Sequence, residues 1–207
     1  LICNNESYSF DDLKIQILNY ISENDKDTLI ILNTKDSARE CFEYLADNLD
    51  ENIEPYFLST LITPYERKKI IERIIRKSKK QKVIVSTQLV EAGVDISVDT
   101  VFRQMAPLDS IIQAAGRANR HNEKNEISEV HVFEIKELTK VSGFIYGSDL
   151  LIKTKNVLKE FNQIEEKDYL QLIERYFQEV RKQSDQTTPK QLNAMLNLDF
   201  SEIKNLN

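Results

Sequence analysis

The chain has 207 residues, 41% apolar and 30% charged, with a net charge of −6 at neutral pH. That length supports a real hydrophobic core, and the longest apolar runs, such as TLIIL, are far too short for a membrane span or a signal peptide. Only two cysteines, Cys3 and Cys41, occur, which excludes a disulfide scaffold and fits a reducing compartment, here expected to be the cytoplasm. The acidic balance excludes nucleic-acid binding through the overall field and leaves room for a local patch. A start at Leu1 reads as a piece of a longer protein.

Through about residue 138 the sequence alternates short β-rich runs with helical stretches, the pattern of a parallel sheet covered by helices. The expected strands are TLIIL (28–32), EPYFL (54–58), KVIVS (82–86), DTVFR (99–103) and EVHVFEI (129–135). Between the first two, Asp36 or Ser37 is expected to cap a helix running to about Asn48, with SARE as a capping box. TPYE (63–66) is a second start signal: Thr63 at the N-cap, Pro64 with its preset φ at the first position, and Glu66 reaching back. Ile70, Ile71, Ile74 and Ile75 follow at spacings that suit a buried helical stripe. Asp109, just after Pro107, is the expected cap of the next helix, which carries QAAGRANRH (113–121). Arg117 and Arg120, three apart, would share one helical face and address one anion.

From about residue 139 the texture changes. VSGFIYGSD, with two of the four glycines, reads as a connection. Helices are expected over roughly 149–161, 167–182 and 189–198, without further strands. The organisation is therefore an α/β domain over 1–138 and a linker with a helical extension over 139–207, leading towards a further domain.

The strand KVIVS runs directly into TQLVEAGVDI (87–96). Gly93 lies where backbone must bend or approach a ligand, and Asp95 can accept hydrogen bonds from a ribose hydroxyl. Thr87 and Gln88 can donate to phosphates at the strand end. Alone, this is a strand-to-helix turn of a kind found in many folds.

Taken in order, STQLVEAGVDI, a further strand, PLDS and QAAGRANR resemble motifs V and VI of superfamily 2 helicases. The wording is closest to the CRISPR-associated helicase–nuclease of type I systems. ILNTKDSARECFEYL (31–45) fits motif IV of the same domain, and LSTLITPYERKK (58–69) falls where that family has a nucleic-acid motif, with Leu58 where a histidine often precedes the serine. The resemblance covers about residues 28–135. It implies a RecA-like open parallel sheet flanked by helices, the second of two such domains, with ATP in the cleft between them. The second domain supplies positive charge to the γ-phosphate, a task that suits the rigid, always-charged guanidinium fork. Arg117 and Arg120 are the implied arginine fingers. Gln113 bridges nucleotide and neighbouring motif, and Gly93, Asp95 and Gly116 form the cofactor side.

Hydrolysis also needs a phosphate-binding lysine loop and a magnesium-holding acid. The glycines are followed by Val94, Arg117, Phe144 and Ser148, so no Gly-Lys occurs, and Asp50-Glu51 falls at a helix end. Neither His121 nor His131 precedes an aspartate, as a nuclease module would require, and both read as structural or surface groups. The chain is thus expected to be half of a motor, inactive alone. ATP and Mg2+ would be held mainly by a first RecA-like domain elsewhere in the protein, beside a nuclease domain.

Single-stranded DNA and a CRISPR surveillance complex are the implied partners. ERKKIIERIIRKSKKQK (66–82) holds nine basic and two acidic residues, which reads first as a solvated helix face. The resemblance places strand contacts instead at loops and helix N-termini, on Thr34, Ser59, Thr63, Arg67, Thr87 and Gln88. Two alternatives remain at this point: a superfamily 2 motor of restriction, repair or RNA metabolism, and a RecA-like module kept for protein interaction without catalysis.

Overall fold

The computed structural model describes residues 2–91, 94–120, 128–159, 161 and 163–181. In chain order the elements are β1 (Ile2–Tyr8), α1 (Phe10–Glu23), β2 (Thr28–Ile31), α2 (Lys35–Asn48), β3 (Ile53–Leu58), α3 (Pro64–Ile75), β4 (Gln81–Ser86), β5 (Thr100–Gln104), α4 (Leu108–Ala115), β6 (Glu129–Ile135), α5 (Thr139–Tyr146), α6 (Ser148–Leu158) and α7 (residues 169–181). All six strands run parallel in one sheet, in the order β1-β6-β5-β2-β4-β3. This is the expected RecA-like open sheet with helices on both faces.

The alternation of side chains across each strand builds two cores. Leu29 and Ile31 of β2, Ile84 of β4, Val101 of β5 and Val130 and Val132 of β6 point to one face, where Ile74 of α3, Ile111 of α4, Val157 and Leu158 of α6 and Leu172 and Tyr176 of α7 cover them. The intervening residues Ile30, Val83, Val85, Phe102 and Phe133 point to the other face, beneath Leu13, Ile17 and Ile21 of α1 and Ala38, Cys41 and Leu45 of α2. Because both faces are buried, the central strands read as continuous apolar runs. Burial pushes the Cys41 thiol up to about 12, so it is an uncharged core group and not a nucleophile.

Several local expectations need correction. The cap of α2 is Thr34, whose hydroxyl accepts from Ser37 N at 3.1 Å; Asp36 and Ser37 already lie inside the helix. The SARE box does not form, because Glu40 pairs instead with Lys14 of α1 at 2.7 Å. Thr63 does cap α3, accepting from Glu66 N, and its hydroxyl donates to the Glu66 carboxylate at 2.7 Å. α4 begins after Pro107, with Asp109 in its first turn and not at the cap. Of the isoleucine stripe, Ile74 is buried, Ile70 and Ile71 are half-buried, and Ile75 is exposed. VSGFIYGSD is not a plain connection: it holds most of α5, the break at Gly147 (φ 82) and the start of α6. The expected 189–198 helix lies outside the described residues.

Lys82 departs from the solvated-face reading of the basic run. Its ammonium is buried and donates to the carbonyls of Ile74 and Arg76 at 2.6 and 2.5 Å, satisfying the orphan acceptors at the end of α3. Lys82→Met keeps the aliphatic stem and removes both donors. The expected loss is about 2 kcal/mol of unfolding free energy, the scale for charged hydrogen bonds to buried carbonyls, read from urea denaturation. An unchanged midpoint would mean that water serves those carbonyls equally well.

Candidate functional site

In a parallel sheet every strand ends on the same rim, and ligands gather there. Thr34 follows β2, Ser59 follows β3, Thr87 and Gln88 follow β4, and α4 leads from β5 towards the two arginines. One edge therefore collects the residues that the sequence assigns to nucleotide and nucleic acid.

The arginine pair converges by a different route from the one expected. α4 ends at Ala115 with Gly116 as its C-cap, so Arg117 and Arg120 lie beyond the helix. The chain past Gly116 runs parallel to residue 98: Val98 N donates to Arg117 O at 3.0 Å and Asn119 N to Val98 O at 2.8 Å. Asn119 takes the left-handed conformation, φ 48, which asparagine tolerates better than most residues. This pinned turn aims both side chains at the segment after β4.

The two guanidiniums are not equivalent. Arg117 is buried; it donates through Nη1 to Val94 O at 2.5 Å and through Nη2 to Glu91 O at 2.6 Å. Its buried Nε has no partner among the described residues. Arg120 sits further out, its side chain 40% exposed, with Nε 3.1 Å from the Asp95 carboxylate, itself 63% exposed. Gln113 and Gly116 are exposed beside them. A Cβ at Gly116 would meet only backbone oxygens at 3.5 and 3.6 Å, so no close approach within this chain demands glycine there. Gly93 and His121 lie outside the described residues. The part-exposed Arg120 and the exposed Asp95 are the charged groups of this pair of segments that solvent reaches, while the Arg117 guanidinium lies beneath them.

The nucleic-acid set divides in the same way. The Thr34 and Thr63 hydroxyls serve as helix caps at two N-termini on the rim. Arg67 Nη2 donates to Ile62 O at 3.0 Å, bracing the first turn of α3. Thr87 is nearly buried and makes no cap bond with its side chain. Ser59 is wholly buried, with its hydroxyl accepting from Leu61 N at 3.3 Å. The Gln88 amide is spent on Asn33 O at 3.0 Å and the Tyr146 hydroxyl at 2.6 Å.

The sequence reading missed the polar cluster beneath these residues. Arg103 of β5 is fully buried; it donates to Asn33 Oδ1 at 2.6 Å, Gln104 O at 2.8 Å and the Tyr146 hydroxyl at 3.0 Å, and lies 2.7 Å from the Glu91 carboxylate. The Asn33 backbone N–H donates to Gln104 Oε1 at 2.8 Å, while its side-chain amide donates to Met105 O and Ser142 Oγ. Burial pushes the Glu91 carboxyl up, opposed by the Arg103 charge. An arginine inside an apolar strand was the available signal, since such a charge must be paired.

The chain matches the family described as CRISPR-associated nuclease/helicase Cas3, C-terminal, over residues 24–123. A putative CRISPR-associated nuclease/helicase Cas3 of Methanocaldococcus jannaschii is 28% identical over 152 residues, 71% of this chain and 21% of the relative. The crystal structure of T. fusca Cas3-ATP superposes with a TM-score of 0.72 at 18% identity, over 96% of this chain and 26% of that one. A chain of a structure described as a CRISPR RNA-guided surveillance complex, pre-nicking, matches with a TM-score of 0.66 at 20% identity, over 84% of this chain and 24% of that one. Domain 2 of the DEAD-box helicase Mss116p, bound to an RNA duplex, matches with a TM-score of 0.57 at 12% identity, over 95% and 77%. These likenesses show the fold, a RecA-like parallel sheet flanked by helices. By sequence the chain is similar to part of Cas3 nuclease/helicases, and it spans about a fifth of the length of the curated Methanocaldococcus jannaschii relative.

Proposed function

We propose that this chain is the second motor domain of an ATP-dependent DNA helicase or translocase of CRISPR interference, working in the cytoplasm. In the full-length protein it would face a first RecA-like domain that holds ATP and Mg2+, beside a nuclease domain. The observation that carries this reading is the convergence of Arg117, Arg120 and Asp95 on one rim of the sheet. Bound ATP supplies the phosphoanhydride whose cleavage drives opening and closing of the two domains.

The roles of this chain's own groups follow from their surroundings. Arg117 is locked to two carbonyls and keeps the turn after β4 in place, with Nε left for an acceptor. Arg120 is held by an exposed pair with Asp95, which costs little to open, and by a long contact of Nη1 to Val94 O at 3.5 Å, so it can turn from Asp95 towards a phosphate. Asp95, once released, can accept from a ribose hydroxyl. Thr34, Thr63, Arg67 and Thr87 form the side proposed for a single DNA strand, where helix N-termini favour phosphates; the internal bonds of Ser59 and Gln88 give them a supporting part in it. The names of the relatives and of the surveillance-complex structure support a CRISPR setting and a surveillance complex as the recruiting partner.

ATP hydrolysis by the full-length protein, with and without single-stranded DNA, tests the reading. DNA is expected to raise turnover, and residues 1–207 alone to hydrolyse no ATP. Turnover that DNA leaves unchanged, or hydrolysis by this chain alone, would sink the assignment.

A further inference from the structure

Arg103, Tyr146 and Ser142 belong to none of the motifs, yet they join them. The Tyr146 hydroxyl, on the last residue of α5, accepts from Gln88 Nε2 at 2.6 Å and Arg103 Nη2 at 3.0 Å, and donates to Asn33 Oδ1 at 3.3 Å. One turn earlier, Ser142 Oγ accepts from the amides of Asn33 and Gln104 at 3.0 and 3.3 Å. Through these bonds α5 is tied to the ends of β2 and β5 and to the turn after β4. Arg103, held on three sides, presents Nη2 to the Glu91 carboxylate at 2.7 Å. The backbone oxygen of that same Glu91 accepts from Arg117 Nη2. A continuous path of polar contacts thus runs from Tyr146 through Arg103 and Glu91 to Arg117.

We propose that Arg103 is a positioning residue for the arginine pair: braced by Tyr146 of α5, it fixes Glu91, whose backbone carbonyl fixes Arg117. The helix that follows the sheet thereby sets where the motif VI guanidinium lies. A buried ion pair is weak evidence for stability but a good means of fixing one arrangement. Here the pair fixes the depth of Glu91 under the rim. The outward hydrogen-bonding direction of Arg117 depends on that depth, since two of its nitrogens are committed to the Glu91–Val94 backbone. Arg103 itself touches no reacting atom and acts only through Arg117. The catalytic consequence rests on the motor reading above; the brace itself does not.

Removing Arg103 threatens the fold, so Tyr146→Phe, which deletes one hydroxyl, carries the test in the full-length protein. Loss of a buried hydrogen-bond partner is expected to speed hydrogen exchange of the amides at 88–91 about fivefold, while exchange in β2 and β4 stays as in the parent. The same variant is expected to lower the kcat of DNA-stimulated ATP hydrolysis about fivefold. Added to Arg117→Lys, it should cost less than about twofold further, because both changes act on one guanidinium and their effects cannot simply multiply. Equal losses in both backgrounds would overturn the path through Arg117. Unchanged exchange at 88–91 would overturn the brace. A parent protein without DNA-stimulated turnover would remove the motor reading, and the exchange measurement would still decide whether α5 holds the turn.

Discussion

Replacing Arg120 with alanine in the full-length protein is expected to lower DNA-stimulated ATP hydrolysis by about 10³-fold or more, the scale for losing an arginine finger. A guanidinium facing a phosphate in a closed, water-poor cleft interacts far more strongly than it does in bulk solvent. The same substitution should barely change stability, because the Arg120–Asp95 pair is 40% and 63% exposed and exposed pairs contribute about 0–1 kcal/mol. That separation makes Arg120 the informative position. Arg117→Ala would remove buried bonds to Val94 and Glu91 as well, so its loss of rate would be mixed with loss of structure. Arg120→Lys keeps the charge but not the planar fork and should fall between parent and alanine variant. Turnover at saturating ATP and DNA, compared in variants with the parent's melting behaviour, is the measurement. A rate within twofold of the parent for Arg120→Ala would take this residue out of the chemistry.

What the sequence discloses and what it hides follow from where the determining contacts lie. β2, β4 and β5 are buried on both faces, so their apolar runs announce them with bounds close to those found. β1 pairs with β6 alone at the sheet edge, and ICNNESY carries neither an apolar run nor an alternation to mark it. α1 has a legible start, with Ser9 accepting from Asp12 N, but no apolar strand precedes it to set it in the alternation. α5 was hidden by its glycines. Gly143 lies within the helix beside Ser148, whose hydroxyl a Cβ would meet at 2.8 Å and could displace by rotation, whereas Gly147 makes the actual break. The convergence of Arg117 and Arg120 on one segment could be anticipated from motif order. Its cause could not, since the pairing of residues 117–119 with Val98 depends on how the chain returns to the rim. For Arg103 the need for partners was legible from its place in an apolar strand, but not their identity: they come from positions 33, 91, 104 and 146, neighbours only once the strand order is set.

Arg103→Met is expected to reduce the unfolding free energy by about 3–5 kcal/mol, the cost of leaving one partner of a buried ion pair alone. The Arg103 side chain is fully buried and that of Glu91 is 8% exposed, so little water can compensate for the missing charge. The loss should depend on pH in a definite direction. Burial already raises the Glu91 carboxyl above its ordinary 4.5, while the Arg103 charge and a Ser110 hydrogen bond pull it down. Without the guanidinium, the folded-state value rises further, and the unfolded value does not change. The folded variant then binds more protons than the unfolded chain between those two values, so its relative stability grows as pH falls. The contribution is fully present below the unfolded value and lost as pH rises through the folded one. The deficit against the parent should therefore be largest near neutrality and shrink towards pH 4.5. Adding Glu91→Leu removes the stranded carboxylate and should recover much of the lost stability, as neutral replacements of buried pairs do, without restoring the path to Arg117. Urea denaturation across that pH range separates the possibilities. A pH-independent deficit, or no recovery in the double variant, would mean that Glu91 is not the charge Arg103 neutralises.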